Sequence, residues 1–175
     1  MRGQEATVVQ AYTVKGQYPE SEQAIAPYDP LMVDVSGDDT AYWSLFDRLW
    51  KAERTFVIVE HDVVPHEGAI DELLSCGSLW CGFGVSYVGI SYAGLACTKF
   101  EASLIRKYPD ALERVALMED PGHPPKHWCR LDAWLRGIFQ EGGDQMHVHL
   151  GPVGHIREDT IFHGANNVCP AHGCG

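Results

Sequence analysis

Basic residues are scarce in this sequence. Its 175 residues include 13 Lys and Arg against 24 Asp and Glu, which gives a formal net charge of -11. Non-specific affinity for DNA or RNA comes mostly from Lys and Arg that neutralise phosphates, so this balance argues against a nucleic-acid-binding protein. An anionic substrate would need help from helix N-termini or from a bound cation.

The sequence also lacks a long hydrophobic run. Nowhere does it offer about 18 uninterrupted apolar residues, and its first residues, MRGQEATVVQAYTVKG, contain neither the apolar core nor the small-residue cleavage site of a secretory leader. We therefore predict a soluble, cytoplasmic protein without a membrane span. In that compartment the six cysteines are expected to be reduced thiols rather than a disulfide framework.

Size and composition predict a single α/β domain. A chain of 19.4 kDa with 45% hydrophobic residues can bury a sizeable core but is short for two domains. Strand-like runs at residues 6–14, 31–35 and 55–59 are interrupted by a helix-like segment at 41–53, and further helix-like segments follow. This alternation predicts a mixed, mostly parallel sheet flanked by helices. The proline-bounded segment 15–30 is predicted to be a loop.

Three polar residues end the most hydrophobic predicted strand, in TFVIVEHDVVP. We call Glu60, His61 and Asp62 the EHD triplet. Side chains at i and i+2 of a strand point the same way, so the two carboxylates can face one cation, and hard cations such as Mg²⁺ prefer oxygen ligands. Ligands of parallel sheets bind at the carboxyl ends of the strands. The triplet thus indicates a divalent metal site, the alternative being the solvated start of a loop.

The order of these and later segments resembles the nucleotide-sugar-dependent glycosyltransferases of the GT-A fold. The resemblance runs from TFVIVEHDVVP through WCGFGVSY, GLACTKF and RLDAWLRGIFQEGG to GPVGHI, and covers most of residues 6–157. It implies a Rossmann-like, single-domain GT-A fold, with a catalytic domain at residues 1–160 and a C-terminal tail at 161–175. It also implies a hexosyltransferase-type enzyme that uses Mn²⁺ or Mg²⁺ and a UDP- or GDP-sugar donor. The acceptor, whether a glycan, a protein or a small molecule, stays open.

The EHD triplet takes the place of the aspartate-x-aspartate motif of that family. The resemblance implies that Asp62 binds the metal, that Glu60 contacts the ribose or a metal-bound water, and that His61 lies between them at the donor. A later histidine often completes the metal site of the family, and His155 in GPVGHI stands at that place.

An acid that heads a later helix is the catalytic base of inverting family members. Asp132 fits this position, although Arg130 and Leu131 precede it where the family has a second acid. A retaining mechanism would not need this base, so both stereochemical courses stay open.

Further residues of the resemblance concern the donor. The small-residue segment at Gly94 and Leu95 resembles the strand that lets the sugar approach the backbone, where a Cβ would obstruct it. Beyond these, the resemblance suggests Tyr12 and Thr13 at the nucleotide base, and Asp34 or Asp38 at the ribose or the amide edge. For Tyr12 an ordinary exposed aromatic at a strand end is the alternative.

Two other functions compete with a glycosyltransferase. Several histidines (His61, His66, His147, His149 and His155), together with Asp62, would suit a His/Asp metal-dependent hydrolase or oxygenase, although no HExxH motif is present. The third possibility is a non-catalytic module of the same fold that binds a nucleotide or a glycan.

The remaining cysteines and one tryptophan have simpler interpretations. Cys76, Cys81, Cys97 and Cys129 lie among apolar residues and are predicted to be buried small hydrophobic residues. The C-terminal Cys169, His172 and Cys174 suit either a zinc site or a flexible thiol tail. Trp128, at a junction between loop and helix, is placed to stack on an acceptor sugar.

Overall fold

A computed structural model describes residues 6–13, 18–87, 90–92, 94–120, 122–151, 153–157 and 160–163. Its strands are β1 (Thr7–Tyr12), β2 (Leu31–Asp34), β3 (Phe56–Glu60), β4 (Val63–Val64), β5 (Trp80–Phe83), β6 (Val85–Tyr87), β7 (Ile90–Tyr92), β8 (Cys97–Phe100), β9 (His147–His149), β10 (Gly154–Arg157) and β11 (Thr160–His163). Its helices are α1 (Pro19–Ile25), α2 (Ala41–Lys51), α3 (Ala69–Ser75), α4 (Ala102–Lys107), α5 (Ala111–Leu117) and α6 (Cys129–Glu141), and a short 3₁₀ helix covers Ala26–Tyr28.

Six strands form the main sheet, in the order β2-β1-β3-β8-β5-β9. Strand β8 pairs antiparallel with both β3 and β5, whereas the other neighbours pair in parallel. Five of the six strands therefore run in one direction. This confirms the predicted α/β class with a mixed, mostly parallel sheet flanked by helices.

Strand β3 explains why the core has two sides. Its residues Phe56 to Val59 are at most 1% exposed, and alternate side chains enter different clusters. Phe56 and Ile58 pack with α2, α4, α5 and α6, while Val57 and Val59 pack with α3 and with Ile25 of α1. A strand apolar on both faces is what a sheet covered on each side by helices requires.

The prediction of a loop at residues 15–30 is wrong, because α1 lies within it. Pro19 occupies the first turn, where its missing N–H costs nothing, and Glu20 and Glu22 favour the same turn through the helix dipole. Ser21 and Ile25, one turn apart, are the buried residues of the helix. A single large apolar side chain facing the core leaves almost no periodic signal in the sequence.

Two smaller sheets complete the described fold. Strands β11, β10 and β4 form one, in that order, and β6 and β7 form an antiparallel hairpin. This hairpin lies between β5 and β8 in the sequence. Because residues 164–175 lie outside the described part of the chain, the division at residue 160 stays a prediction. No helix among the described residues has both the length and the apolar character needed to cross a membrane.

Candidate functional site at the carboxyl edge of the sheet

Three parallel strands end together at one edge of the main sheet. In the pairing register Tyr12 lies beside Asp34, and its neighbour Ala11 lies beside Glu60. The ends of β1, β2 and β3 thus bring Tyr12, Asp34 and the EHD triplet to one edge, as the sequence predicted for parallel strands. This is the edge at which ligands of open α/β sheets bind.

The EHD triplet is half-buried and is held by neighbouring aromatic and hydroxyl groups. The Tyr42 hydroxyl donates to Glu60 Oε1 at 3.1 Å. The His61 ring stacks on Tyr18, with 6.0 Å between ring centroids and 17° between ring planes, and its Nε2 lies 3.4 Å from Thr13 Oγ1. The triplet therefore has a fixed position at the strand end, which a freely solvated loop would not have.

Strand β10 docks against the residues that follow the triplet. The backbone N–H of Ile156 donates to the carbonyl oxygen of Asp62 at 2.7 Å, and His155 pairs in register with Val63. The fold thus brings the backbone of His155 beside the end of the triplet, across 92 positions of sequence (155 minus 63). The His155 side chain lies outside the described part of the chain, so its role as a metal ligand stays a prediction.

The segment that leads into β8 lies against Glu60. The Glu60 N–H donates to the carbonyl oxygen of Ala96 at 2.9 Å, and the Thr98 hydroxyl donates to that of Gly94 at 2.8 Å. The Leu95 side chain is 5% exposed and packs in the core with α2. The segment of Gly94 and Leu95 therefore comes close to Glu60, with the Leu95 side chain directed into the core, and its contact with a donor sugar stays a prediction.

Two acidic side chains in the segment between β2 and α2 accept hydrogen bonds from residues of the same segment. Asp34 Oδ1 accepts from the Ser36 N–H at 2.8 Å, and Asp38 Oδ1 accepts from both the N–H and the hydroxyl of Thr40 at 2.7 Å. These hydrogen bonds, from side chain and backbone of Ser36 and of Thr40, lower the pKa of each carboxyl group. Both acids are exposed and ionised at neutral pH, so they are accessible to a ligand at this edge.

Helix α6 begins next to that segment. The Trp128 N–H donates to the carbonyl oxygen of Asp39 at 3.2 Å. Trp128 is 37% exposed and stacks on His127, which agrees with an exposed aromatic at the start of the helix. Asp132 lies in the first turn of α6. Its side chain is outside the described part of the chain, so its catalytic assignment is not tested.

Arg130 anchors the start of α6, a role that the sequence prediction missed. Its side chain is buried, with the residue 3% exposed. The guanidinium donates to the carbonyl oxygens of Met118 at 2.7 Å and of His123 at 2.6 Å, with longer contacts to three more carbonyl groups of the preceding segment. An arginine in the first turn of an amphipathic helix normally indicates a solvated face, so no local pattern predicts this contact.

The sequence prediction also assigned no functional role to Tyr18 or Tyr42. Tyr42 is buried on α2, being 7% exposed, and its hydroxyl reaches Glu60. Tyr18 fell in the segment wrongly predicted to be a loop. Both contacts join residues far apart in the chain, and no local pattern reports them.

The histidines of the hydrolase or oxygenase hypothesis do not gather in one place among the described side chains. His61 contacts Thr13 and Tyr18, whereas His66 and His149 both lie within 4.0 Å of the Glu72 carboxylate on α3. The centroids of the His147 and His149 rings also lie 4.5 Å apart, so His66, His147 and His149 form a group of their own, whereas the contacts of His61 are with Thr13 and Tyr18.

The four described cysteines are reduced thiols rather than members of disulfides. Cys81 and Cys97 are fully buried, as predicted. For Cys76 and Cys129 the prediction of burial is wrong, because both are only half-buried. Cys76 follows α3 and Cys129 begins α6, and the ends of surface helices are partly open to solvent. Cys169, His172 and Cys174 lie outside the described residues.

No known protein family and no curated protein matches the sequence. Several solved structures resemble it in three dimensions. The crystal structure of A197 from STIV has a TM-score of 0.56 and 11% sequence identity, over 97% of this chain and 100% of that chain. The crystal structure of a glycosyltransferase involved in the glycosylation of the major capsid of PBCV-1 has a TM-score of 0.48 and 9% identity, over 82% of each chain. The likeness to A197 shows a shared fold.

Proposed function

We propose that this chain is a metal-dependent glycosyltransferase, which moves a sugar from a nucleoside-diphosphate sugar to an acceptor hydroxyl. The proposal is supported above all by one observation. Glu60 and Asp62, separated by one residue, stand half-buried at the carboxyl end of β3, with β10 hydrogen-bonded beside them.

This donor set suits a hard divalent cation. Carboxylate oxygens are the ligands that Mg²⁺ and Mn²⁺ prefer. A chain with a net charge of -11 repels a diphosphate unless a cation neutralises it, so a metal between the triplet and the donor solves an electrostatic problem that the scarce basic residues leave open.

Each residue of the edge has a part in this proposal. A bound cation supplies charge stabilisation for the departing diphosphate. Asp62 holds the cation together with His155, and Glu60 orients the ribose or a metal-bound water. Asp132 accepts the proton of the acceptor hydroxyl during direct displacement at the anomeric carbon, if the reaction inverts.

The nucleotide belongs at the ends of β1 and β2 in this scheme. Tyr12 and Thr13 flank the base, and Asp34 or Asp38 binds the ribose or the amide edge of the base. His61 completes the donor side, and the backbone at Gly94 and Leu95 faces the sugar. The exposed Trp128 ring offers a stacking surface for a sugar acceptor.

Thermal unfolding with UDP, GDP or their sugars, with and without Mn²⁺, tests the proposal. Ligand at about 100 times its Kd stabilises the folded state by about 2.7 kcal/mol, which raises the Tm of a chain of this size by about 5–10 °C. We expect this rise only when the nucleotide and the metal are both present. An assay of donor hydrolysis and transfer then measures turnover.

Asp62→Ala should abolish the metal-dependent rise in Tm. Asp47→Ala is the matched control, because Asp47 is exposed on α2 and pairs only with Lys51 among the ion pairs of the described residues. A rise that persists in Asp62→Ala would refute the site. No rise with any nucleotide and metal would refute the function, and a rise without turnover would favour a binding module.

A further inference from the structure

Two cysteines and two histidines meet on the α3 side of the main sheet, away from the EHD triplet. Cys76 follows α3, Cys81 lies on β5, and His147 and His149 lie on β9. We call these four residues the Cys–His cluster. Cys81 pairs in register with His147, so parallel neighbours and the i, i+2 spacing direct Cys81, His147 and His149 to one face of the sheet.

The distances within the Cys–His cluster suit a metal ion. Cys76, Cys81 and His149 each offer a ligand atom, and these atoms all lie within 4.8 Å of one another. His147 Nδ1 lies 3.1 Å from Cys76 Sγ. Ligands at normal zinc bond lengths in a tetrahedron are about 3.3 to 3.8 Å apart. Cys76, Cys81 and His149 therefore need only a modest contraction, whereas His147, which contacts Cys76, must also turn toward the other two residues to become the fourth ligand.

One ring nitrogen of His149 lies near a carboxylate, and the other is buried without a partner. Its side chain is 11% exposed and its Nδ1 lies 3.7 Å from Glu72 Oε2. Its Nε2 is buried and has no hydrogen-bond partner. Metal-binding histidines commonly have a carboxylate beside the ring nitrogen that does not bind the metal, and a cation at Nε2 would give a partner to a buried atom that otherwise costs stability.

We propose that Cys76, Cys81, His149 and His147 bind one structural Zn²⁺ ion. Two thiolates and two imidazoles match the preferred ligands of zinc, whereas Mg²⁺ prefers oxygen. The ion links the end of α3 and strand β5 to β9, the edge strand of the main sheet. This site is independent of the proposed glycosyltransferase site, which takes a hard cation through carboxylates.

The backbone around the Cys–His cluster is fixed in a way that supports such a site. The Lys99 ammonium donates to the carbonyl oxygen of Cys76, and Lys99 is fully buried on β8. Glu101 Oε1 lies 2.8 Å from Lys99 Nζ, so the carboxylate compensates the charge of the ammonium. Because a zinc ion with two thiolates and two neutral imidazoles is uncharged overall, it can lie near this lysine without a large electrostatic cost.

A second convergent group, His123, His127 and Cys129, is the weaker candidate. His127 Nδ1 already accepts the N–H of Cys129 at 3.2 Å, and His123 Nδ1 lies 3.1 Å from an Asp120 carboxylate oxygen. This group offers a single thiol. Its thiol, that of Cys129, therefore serves as a control in the metal titration.

Titration of the chelator-stripped full chain with Co²⁺ and Zn²⁺ tests the proposal. We expect one thiolate-bound Co²⁺ per chain, with the near-ultraviolet charge-transfer band of thiolate ligands and the visible bands of a tetrahedral ion, and displacement of this Co²⁺ by Zn²⁺. The Tm should rise on metal addition because binding free energy adds to folding free energy. Absence of the thiolate band from the native chain would overturn the proposal without any variant.

Variants locate the ion. Cys76→Ser and Cys81→Ser should each weaken the thiolate band and lose stoichiometric binding, and Glu72→Gln should weaken binding by about 10- to 100-fold. Cys97→Ala and Cys129→Ser, the matched controls, should keep the ion. Circular dichroism checks folding. Binding that survives both cluster substitutions, or that is lost in Cys129→Ser alone, would contradict the assignment and point to the other group.

Discussion

Substitution by alanine should have opposite effects on stability at two glycines near the end of α6. A Cβ at Gly142 would lie 1.9 Å from Tyr108 Oη and 2.7 Å from two ring carbons, whereas a Cβ at Gly137 would meet nothing within 4 Å. Tyr108 cannot easily yield, because it is 6% exposed, packs on Phe139 and donates to an Asp144 carboxylate oxygen. Gly142→Ala must therefore displace a packed ring and break its hydrogen bond.

The magnitude follows from these contacts. Overpacking of a core costs about 1–3 kcal/mol and the lost hydrogen bond about 1 kcal/mol, while the reduced freedom of the unfolded chain returns up to about 1 kcal/mol. We expect Gly142→Ala to lower the free energy of unfolding by about 2–3 kcal/mol. Gly137→Ala should raise it by about 0.5–1 kcal/mol, because alanine is favoured over glycine in the interior of a helix. Urea unfolding followed by circular dichroism measures both.

A double-mutant cycle with Tyr108→Phe isolates the cause. Removing the hydroxyl removes the nearest atom, so the cost of Gly142→Ala should fall in the Tyr108→Phe background, and only part of it should remain from the two ring carbons. An equal cost in both backgrounds, or a Gly142→Ala chain within about 0.5 kcal/mol of the parent, would refute the steric argument.

Two further substitutions test contacts that fix the ends of helices. Arg130→Lys loses the planar fork that reaches several carbonyl groups and should cost about 2–3 kcal/mol, whereas Arg136→Lys on the same helix should stay within about 0.5 kcal/mol in urea unfolding. Hydrogen bonds from Lys107 and then Tyr108 lower the pKa of Asp144. The ionised Asp144 therefore adds to the free energy of unfolding at any pH above its unfolded-state pKa of about 3.9, and this stabilisation is lost as the pH falls through the lower pKa of the folded state. Asp144→Asn should cost about 1 kcal/mol at pH 7, mainly through the Tyr108 bond, because the Lys107 pair is half exposed. The difference in free energy of unfolding between this variant and the parent chain should vanish in acid. A difference that did not change with pH would show that it does not come from the ionised Asp144.

The central strand could be predicted because its signal is local. FVIV, residues 56–59, is apolar at every position, and a strand buried on both faces by helices is a direct consequence. The position of the EHD triplet followed from the same fact, since the carboxyl ends of parallel strands share one edge. The structure places Tyr12, Asp34 and Glu60 along that edge without any further assumption.

Helix α1 escaped prediction because its stability comes from tertiary contacts. The Gln10 amide donates to the Ser21 hydroxyl, which donates to the Val63 carbonyl oxygen, both at 2.6 Å. These two bonds join α1 to β1 and β4, and Ile25 adds the apolar anchor. A seven-residue helix is too short to be stable by itself, so a sequence window that contains only the helix does not contain what stabilises it.

The Cys–His cluster marks the limit of reasoning from spacing. Cys76 and Cys81 each looked like a buried thiol, and the two histidines of HVH looked like half of a site that included Asp62. The pairing of β5 with β9 instead groups these histidines with the cysteines, because it sets Cys81 beside His147. Strand register depends on which face each strand buries, and here the strands belong to segments more than 60 residues apart (147 minus 81). The C-x4-C and H-x-H spacings were visible separately, but only the sheet order joins them, and one exchanged neighbour in the sheet would have sent the same four side chains to different places.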